Sequence, residues 1–126
     1  MLEDATVMAV IPVHDLRKAR TFYEKMLGLT PLDEARSEDE AIYSLGGTKL
    51  MVYETRAELG GATKATLVVR DLDKEMGDLR KHGVRFEELD MPNLKTIDGV
   101  IEDAHGKAAW FKDLEGNWIA LTQPNK

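Results

Sequence analysis

The sequence predicts an α+β domain assembled from two βαβββ modules, the first over about residues 5–56 and the second over about 63–123. Three observations carry that expectation. The stretch Val13-His14-Asp15-Leu16-Arg17-Lys18 recurs as Val69-Arg70-Asp71-Leu72-Asp73-Lys74, and self-similarity of this kind marks a repeated supersecondary unit. Each copy follows a run with apolar residues at every second position, the pattern of a half-buried strand. Each then enters apolar residues spaced three and four apart, the pattern of one helix face.

The elements follow in chain order. Val7 to Val13 is the first strand. Leu16, Ala19, Phe22, Tyr23, Met26 and Leu27 form the stripe of the first helix. Asp15 stands where an N-cap accepts a backbone N–H and complements the helix dipole, and Gly28 stands where a helix ends in the left-handed conformation. Strands are expected at Thr30–Glu34, Ala41–Leu45 and Thr48–Glu54, with Gly46-Gly47 as a hairpin turn. Glu58 to Lys64, with Gly60-Gly61, reads as the linker. In the second module Ala65–Val69 is the first strand, Asp71 the cap, Leu72, Met76 and Leu79 the helical stripe, and Gly83 the stop. Strands are expected at Val84–Leu89, Val100–Asp103, Ala108–Lys112 and Trp118–Thr122. Glu115-Gly116-Asn117 is a turn, and Asp90–Gly99 reads as a loop.

Composition narrows the function. At 126 residues the chain has the size of one domain, with 43% apolar and 32% charged residues, an ordinary globular balance. It has no cysteine, so thiolate metal sites, disulfides and a cysteine nucleophile are excluded. A formal charge of −6 argues against nucleic acid, whose binding needs clustered Lys and Arg. The start Met1-Leu2-Glu3-Asp4 has neither a basic nor an apolar region of a signal peptide, and no apolar run reaches the roughly 20 residues of a membrane span. A cytoplasmic protein is the expectation. The charged runs Asp33 to Glu40 and Asp71 to Lys81 read as solvated faces.

The pattern Val13-His14-Asp15-Leu16, Phe22-Tyr23, Leu27-Gly28-Leu29 resembles the opening of the vicinal oxygen chelate superfamily of glyoxalases, bleomycin-resistance proteins and extradiol dioxygenases. The ending Trp110-Phe111-Lys112-Asp113-Leu114-Glu115-Gly116-Asn117-Trp118-Ile119 is similar to its closing hairpin. The resemblance covers nearly the whole chain. It implies that each module curls into half of a cup with a mixed sheet. For chains of this length it also implies a homodimer, with cups assembled across the interface. It does not choose an activity, since the superfamily includes lyases, isomerases, dioxygenases, thiol transferases and antibiotic-sequestering proteins.

In metal-dependent relatives one His, Gln or Glu ligand lies in the first strand of each module and one Glu usually in the last. Counted from Asp15 and Asp71, the first-strand positions fall on Met8 and Lys64. The last-strand positions fall on Met51 and Ala120. A divalent metal needs imidazole, carboxylate or thiolate donors and is repelled by an ammonium group. No metal and no cofactor are therefore expected.

Strand alternation sorts the rest. Val7, Ala9, Ile11, Leu50, Val52, Leu67, Val69, Phe111, Ile119 and Leu121 share an apolar face that should meet the helices. The opposite face carries Met8, Val10 and Pro12, then Lys49, Met51 and Tyr53, then Lys64, Thr66 and Val68, and finally Trp110, Lys112, Trp118, Ala120 and Thr122. Apolar area with a few polar groups suits a small-molecule pocket, and it suits equally a face closed by its own side chains or by a second subunit. The expected ligand-binding residues are Met8, Val10, Lys49, Met51, Tyr53, Lys64, Thr66, Trp110, Trp118, Ala120 and Thr122. Lys64 either runs its stem along apolar surface to solvent or acts as a base or counter-ion. His14, His82 and His105 read as surface residues, and Glu102, Asp103 and His105 could form a surface metal site. The preferred function is metal-free binding of an apolar or aromatic compound. The alternatives are an enzyme using Lys64 or a tyrosine as acid/base or a metal bound elsewhere, and a structural or regulatory dimer.

Overall fold

A computed structural model describes residue 3 and residues 7–125 apart from 36, 93 and 105. The first module comprises β1 (Ala9–Val13), α1 (Leu16–Thr21) continued by a π-helical turn (Phe22–Met26), β2 (Thr30–Leu32), β3 (Glu40–Leu45) and β4 (Thr48–Glu54). The second comprises β5 (Thr63–Val68), α2 (Leu72–Lys81), β6 (Asp90–Met91), β7 (Leu94–Lys95), β8 (Ile101–Asp103), β9 (Gly106–Lys112) and β10 (Trp118–Pro124). Their sheets have the orders β1-β4-β3-β2 and β5-β10-β9-β8, with β6-β7 as a separate hairpin. The first strand of each module pairs in parallel with the last, and the other ladders are antiparallel. A parallel pair demands a crossover, so the duplicated topology places one helix after each first strand.

The caps explain where those helices begin. Asp15 accepts from Lys18 N and Asp71 from Lys74 N, both at 3.1 Å. The last strands complete the caps, Glu54 accepting from Leu16 N at 3.0 Å and Gln123 from Leu72 N at 2.8 Å. Gly28 and Gly83 end the helical segments with φ of 72° and 93°, a region costly for any residue with a Cβ.

A single apolar core joins the modules. Ile11, Val13, Leu50 and Val52 of the first sheet meet Ala109, Phe111, Ile119 and Leu121 of the second through Leu16, Phe22, Leu72 and Met76 of the helices. The ring of Phe22 lies 5.3 Å from Tyr23 and 6.4 Å from Phe111, between centroids.

Local structure departs from the sequence pattern in several places, among them β5, which starts at Thr63 inside the expected linker. β1 begins at Ala9, not Val7, whose side chain is 90% exposed. The first helix widens, Leu27 N bonding Phe22 O at 3.1 Å across five residues; this π-helical turn accommodates the adjacent buried rings of Phe22 and Tyr23. The expected strand Val84–Leu89 is reduced to one bridge, Phe86 opposite Phe111, plus Glu87 N to Trp110 O at 2.8 Å. It leaves the sheet because Leu89 turns to pair with Thr96, through Thr96 N to Leu89 O at 2.9 Å and Leu89 N to Thr96 Oγ1 at 2.8 Å. That turn also builds β6 and β7 inside the expected loop. No helix among the described residues is long and apolar enough to cross a membrane.

Candidate functional site

Strand register fixes what shares the face away from the core. In the first sheet Val10, Met51 and Ile42 stand in one row, and Pro12, Tyr53 and Glu40 in the next, with Lys49 opposite Ser44. In the second sheet Thr66, Ala120 and Trp110 form a row, Thr122 lies between Val68 and Ala108, and Trp118 stands opposite Lys112. Their strand neighbours Leu50, Val52, Ala65, Phe111, Ile119 and Leu121 are all core residues. Both indoles lie outside that core and are half-buried. They are diagonal neighbours on adjacent antiparallel strands.

The candidate residues thus divide between two sheet faces. Met8, Val10, Lys49, Met51 and Tyr53 belong to the first module, and Lys64, Thr66, Trp110, Trp118, Ala120 and Thr122 to the second. Lys49 and Thr66 meet in a crevice of about 450 Å³ at the module seam. Thr122 borders a shallow pocket beside Ile101 and Lys107. The two indoles line neither space.

Individual side chains refine this picture. Lys112 Nζ lies 4.7 Å from the centre of the Trp118 ring and 3.5 Å from Glu87, so one face of that indole carries a cation. Ala120 is 5% exposed, packed in the row between Trp110 and Thr66. Lys64 sits at a register shift between β5 and β10, and its ammonium donates to the carbonyls of Gly60 at 2.9 Å and Ala62 at 3.0 Å. It closes its own linker.

The four positions expected from the sequence to match the ligands of metal-dependent relatives, Met8, Met51, Ala120 and Lys64, present two thioethers, a methyl group and this carbonyl-bound ammonium. They do not fit a divalent ion. Among the described residues no three His, Asp or Glu side chains gather to hold one. His14 places Nε2 2.9 Å from Ala57 O, and His82 places Nδ1 2.9 Å from Asp78 O. His105 lies outside the described residues, and with it the Glu102–Asp103–His105 constellation.

Tyr23 and Tyr43 belong to the core. Tyr23 donates to Asp113 at 3.0 Å, and burial, aided by that carboxylate, pushes its phenol far above the usual range. Tyr43 donates to Glu24 at 2.9 Å and is raised mainly by burial. Tyr53 stands on the outward face instead.

The Asp113–Asn117 turn has a role the sequence did not reveal beyond its turn residues. Glu115 accepts the backbone N–H groups of His14 and Asp15, and Asn117 Nδ2 donates to Pro12 O at 2.7 Å. The turn of the second module thereby fastens the helix start of the first.

The model of the glyoxalase/bleomycin resistance protein/dioxygenase superfamily matches residues 6–121, and the chain belongs to that superfamily. Among solved structures it is similar to TnmS3, an antibiotic binding protein from Streptomyces sp. CB03234, at 24% identity and TM-score 0.73, covering 99% of both chains. It is also similar to a glyoxalase/bleomycin resistance protein from Catenulispora acidiphila, at 25% identity and TM-score 0.72, covering 95% of this chain and 98% of that one. The fosfomycin resistance protein FosX from Listeria monocytogenes shares the fold at 14% identity and TM-score 0.71, covering 99% and 94%. No curated protein matches the chain in sequence.

Proposed function

We propose that this chain is a metal-independent binding protein that holds an apolar or aromatic small molecule against the tryptophan face of the second sheet. A second copy supplies the opposite wall through its Met8, Val10, Met51 and Tyr53. The observation that carries this reading is the pairing of Trp110 and Trp118 as outward diagonal neighbours on β9 and β10. Diagonal positions lie about 7–8 Å apart at the backbone, which leaves room for one planar ring between two indoles. Such stacking adds about 0.5–1.5 kcal/mol beyond area burial, and the methionine side chains adapt to an irregular outline. Lys112 already lies over one face of Trp118, so the ligand stacks on the other.

A catalytic reading finds less support. The Lys64 ammonium is engaged with two carbonyls, and the phenols of Tyr23 and Tyr43 are held protonated inside the core. The binding of antibiotics by a relative such as TnmS3 accords with capture rather than turnover.

Screening planar aromatic compounds, antibiotics among them, tests this directly. A compound that binds is recovered unchanged after long incubation, and Trp118→Ala weakens its binding by roughly 1–3 kcal/mol. Accumulation of a product, abolished by Lys64→Met, would replace capture with catalysis.

A further inference from the structure

The modules meet along β1 and β5, and the two ends of that seam are finished differently. At one end the five-residue β9–β10 turn reaches across: Glu115 binds the N–H groups of His14 and Asp15, Asn117 binds Pro12 O, and Tyr23 reaches Asp113. At the other end the equivalent turn, between β3 and β4, is Gly46-Gly47. Two glycines carry no side chain to reach with. The polar side chains beside them bond within their own module, Thr48 Oγ1 to Leu45 O at 2.7 Å and Lys49 to Glu34.

Apolar space remains where that second fastening is missing. A crevice of about 450 Å³ is lined by Ala9, Leu45, Leu50, Leu67 and Val68 among others. A second space of about 170 Å³ shares Leu45, Leu67 and Val68 and continues to Leu79 and Phe111. Together they run from the surface of the seam, where Lys49, Thr66 and Val68 also border them, to the edge of the core at Leu79 and Phe111.

We propose that this crevice is a second ligand site, distinct from the tryptophan face, which takes a small uncharged molecule of one or two rings. The crevice is open to solvent, but its lining is mainly apolar, with Leu45, Leu50 and Leu67 outside and Leu27, Leu29 and Leu79 further in. The volume lies in the range of ordinary ligand pockets, about 300–1,000 Å³. Lys49 at the rim is already paired with Glu34 and Glu75 borders the inner space, so an uncharged occupant suits the mainly apolar lining better than an anion.

Indole, titrated into protein labelled at its leucine, valine and methionine methyl groups, is the probe. The methyl resonances of Leu45, Leu67 and Leu79 should shift together and saturate at one indole per chain. Leu67→Phe and Leu79→Phe, each filling the space from a different element, should weaken that binding at least tenfold while far-UV circular dichroism stays native. Absence of a saturable shift at these leucines, or undiminished affinity in either folded variant, overturns the proposal. Shifts that follow protein concentration rather than indole would assign the crevice to a second copy, and also overturn it. Saturable shifts at Met8 and Met51 with silent leucines would support the tryptophan-face reading and reject this one.

Discussion

Asp113 ties the closing turn of the second module to the first helix. In a nearly sealed position it accepts from Tyr23 OH, from Asn117 Nδ2 and from the backbone N–H groups of Glu115 and Asn117, all at 2.9–3.0 Å. Its bond to Tyr23 gives a pH signature. The unfolded tyrosines ionise near pH 10, whereas folding holds Tyr23 protonated through burial and the neighbouring carboxylate, and Tyr43 mainly through burial. The folded state therefore binds more protons above about pH 10, so stability is unaffected below that pH and falls as pH rises beyond it. Tyr23→Phe should cost about 2 kcal/mol at pH 7 through the lost bond to a carboxylate, and should flatten the alkaline decline seen in urea unfolding. Lys64 makes a milder case. Its two carbonyl partners can turn to water, so Lys64→Met should cost about 1 kcal/mol in the same measurement; a loss of several kcal/mol would show an ammonium far more deeply committed.

Elements were legible in the sequence where spacing and caps agreed. Asp15 and Asp71 cap as their positions suggest, and Thr48–Glu54 is a strand with the expected bounds. Alternation also sorted the core from the outward face at Phe111, Ile119 and Leu121 against Trp110 and Trp118, while Ala120, on the outward side by register, is nonetheless buried. It failed at Val84–Leu89 because alternation shows which residues can be buried, not whether the backbone keeps a partner. The π-helical turn was equally invisible, since Phe22, Tyr23, Met26 and Leu27 satisfy an ordinary helical stripe. Glycines differ in the same manner. Gly28 has a φ of 72° and open space where a Cβ would go, so Gly28→Ala should cost about 1 kcal/mol of backbone strain. Gly106 has a φ of 140°, and a Cβ there would overlap the Gln123 carbonyl on β10. Gly106→Ala should therefore lower the thermal midpoint several times further than Gly28→Ala; equal shifts would mean that the β9–β10 ladder yields easily.

At the scale of the molecule, the repeat of Val13–Lys18 in Val69–Lys74 disclosed the duplicated architecture, because each copy marks the passage from first strand to helix. It could not disclose how two copies pack against each other. The fastening at Asp113–Asn117 and the crevice beside Gly46-Gly47 arise from unequal turns between otherwise equivalent strands, and these appear only when the seam is seen. Alternation put Val10, Met51, Tyr53, Thr66 and Thr122 in outward rows, whereas Met8 precedes β1, Lys64 falls at a register shift, and the division between two sheets awaited the topology. In the proposed site, the wall opposite the tryptophan face comes from a second chain. The most direct test is intrinsic fluorescence titrated with a planar aromatic compound, on protein whose mass is followed by sedimentation. Trp110 and Trp118 are the chain's two tryptophans, so a ligand seated between them in a homodimer should quench or shift nearly all of the emission, in a particle of twice the chain mass. Saturable binding that leaves the emission unchanged, or full quenching in a clean monomer, would contradict the proposed site.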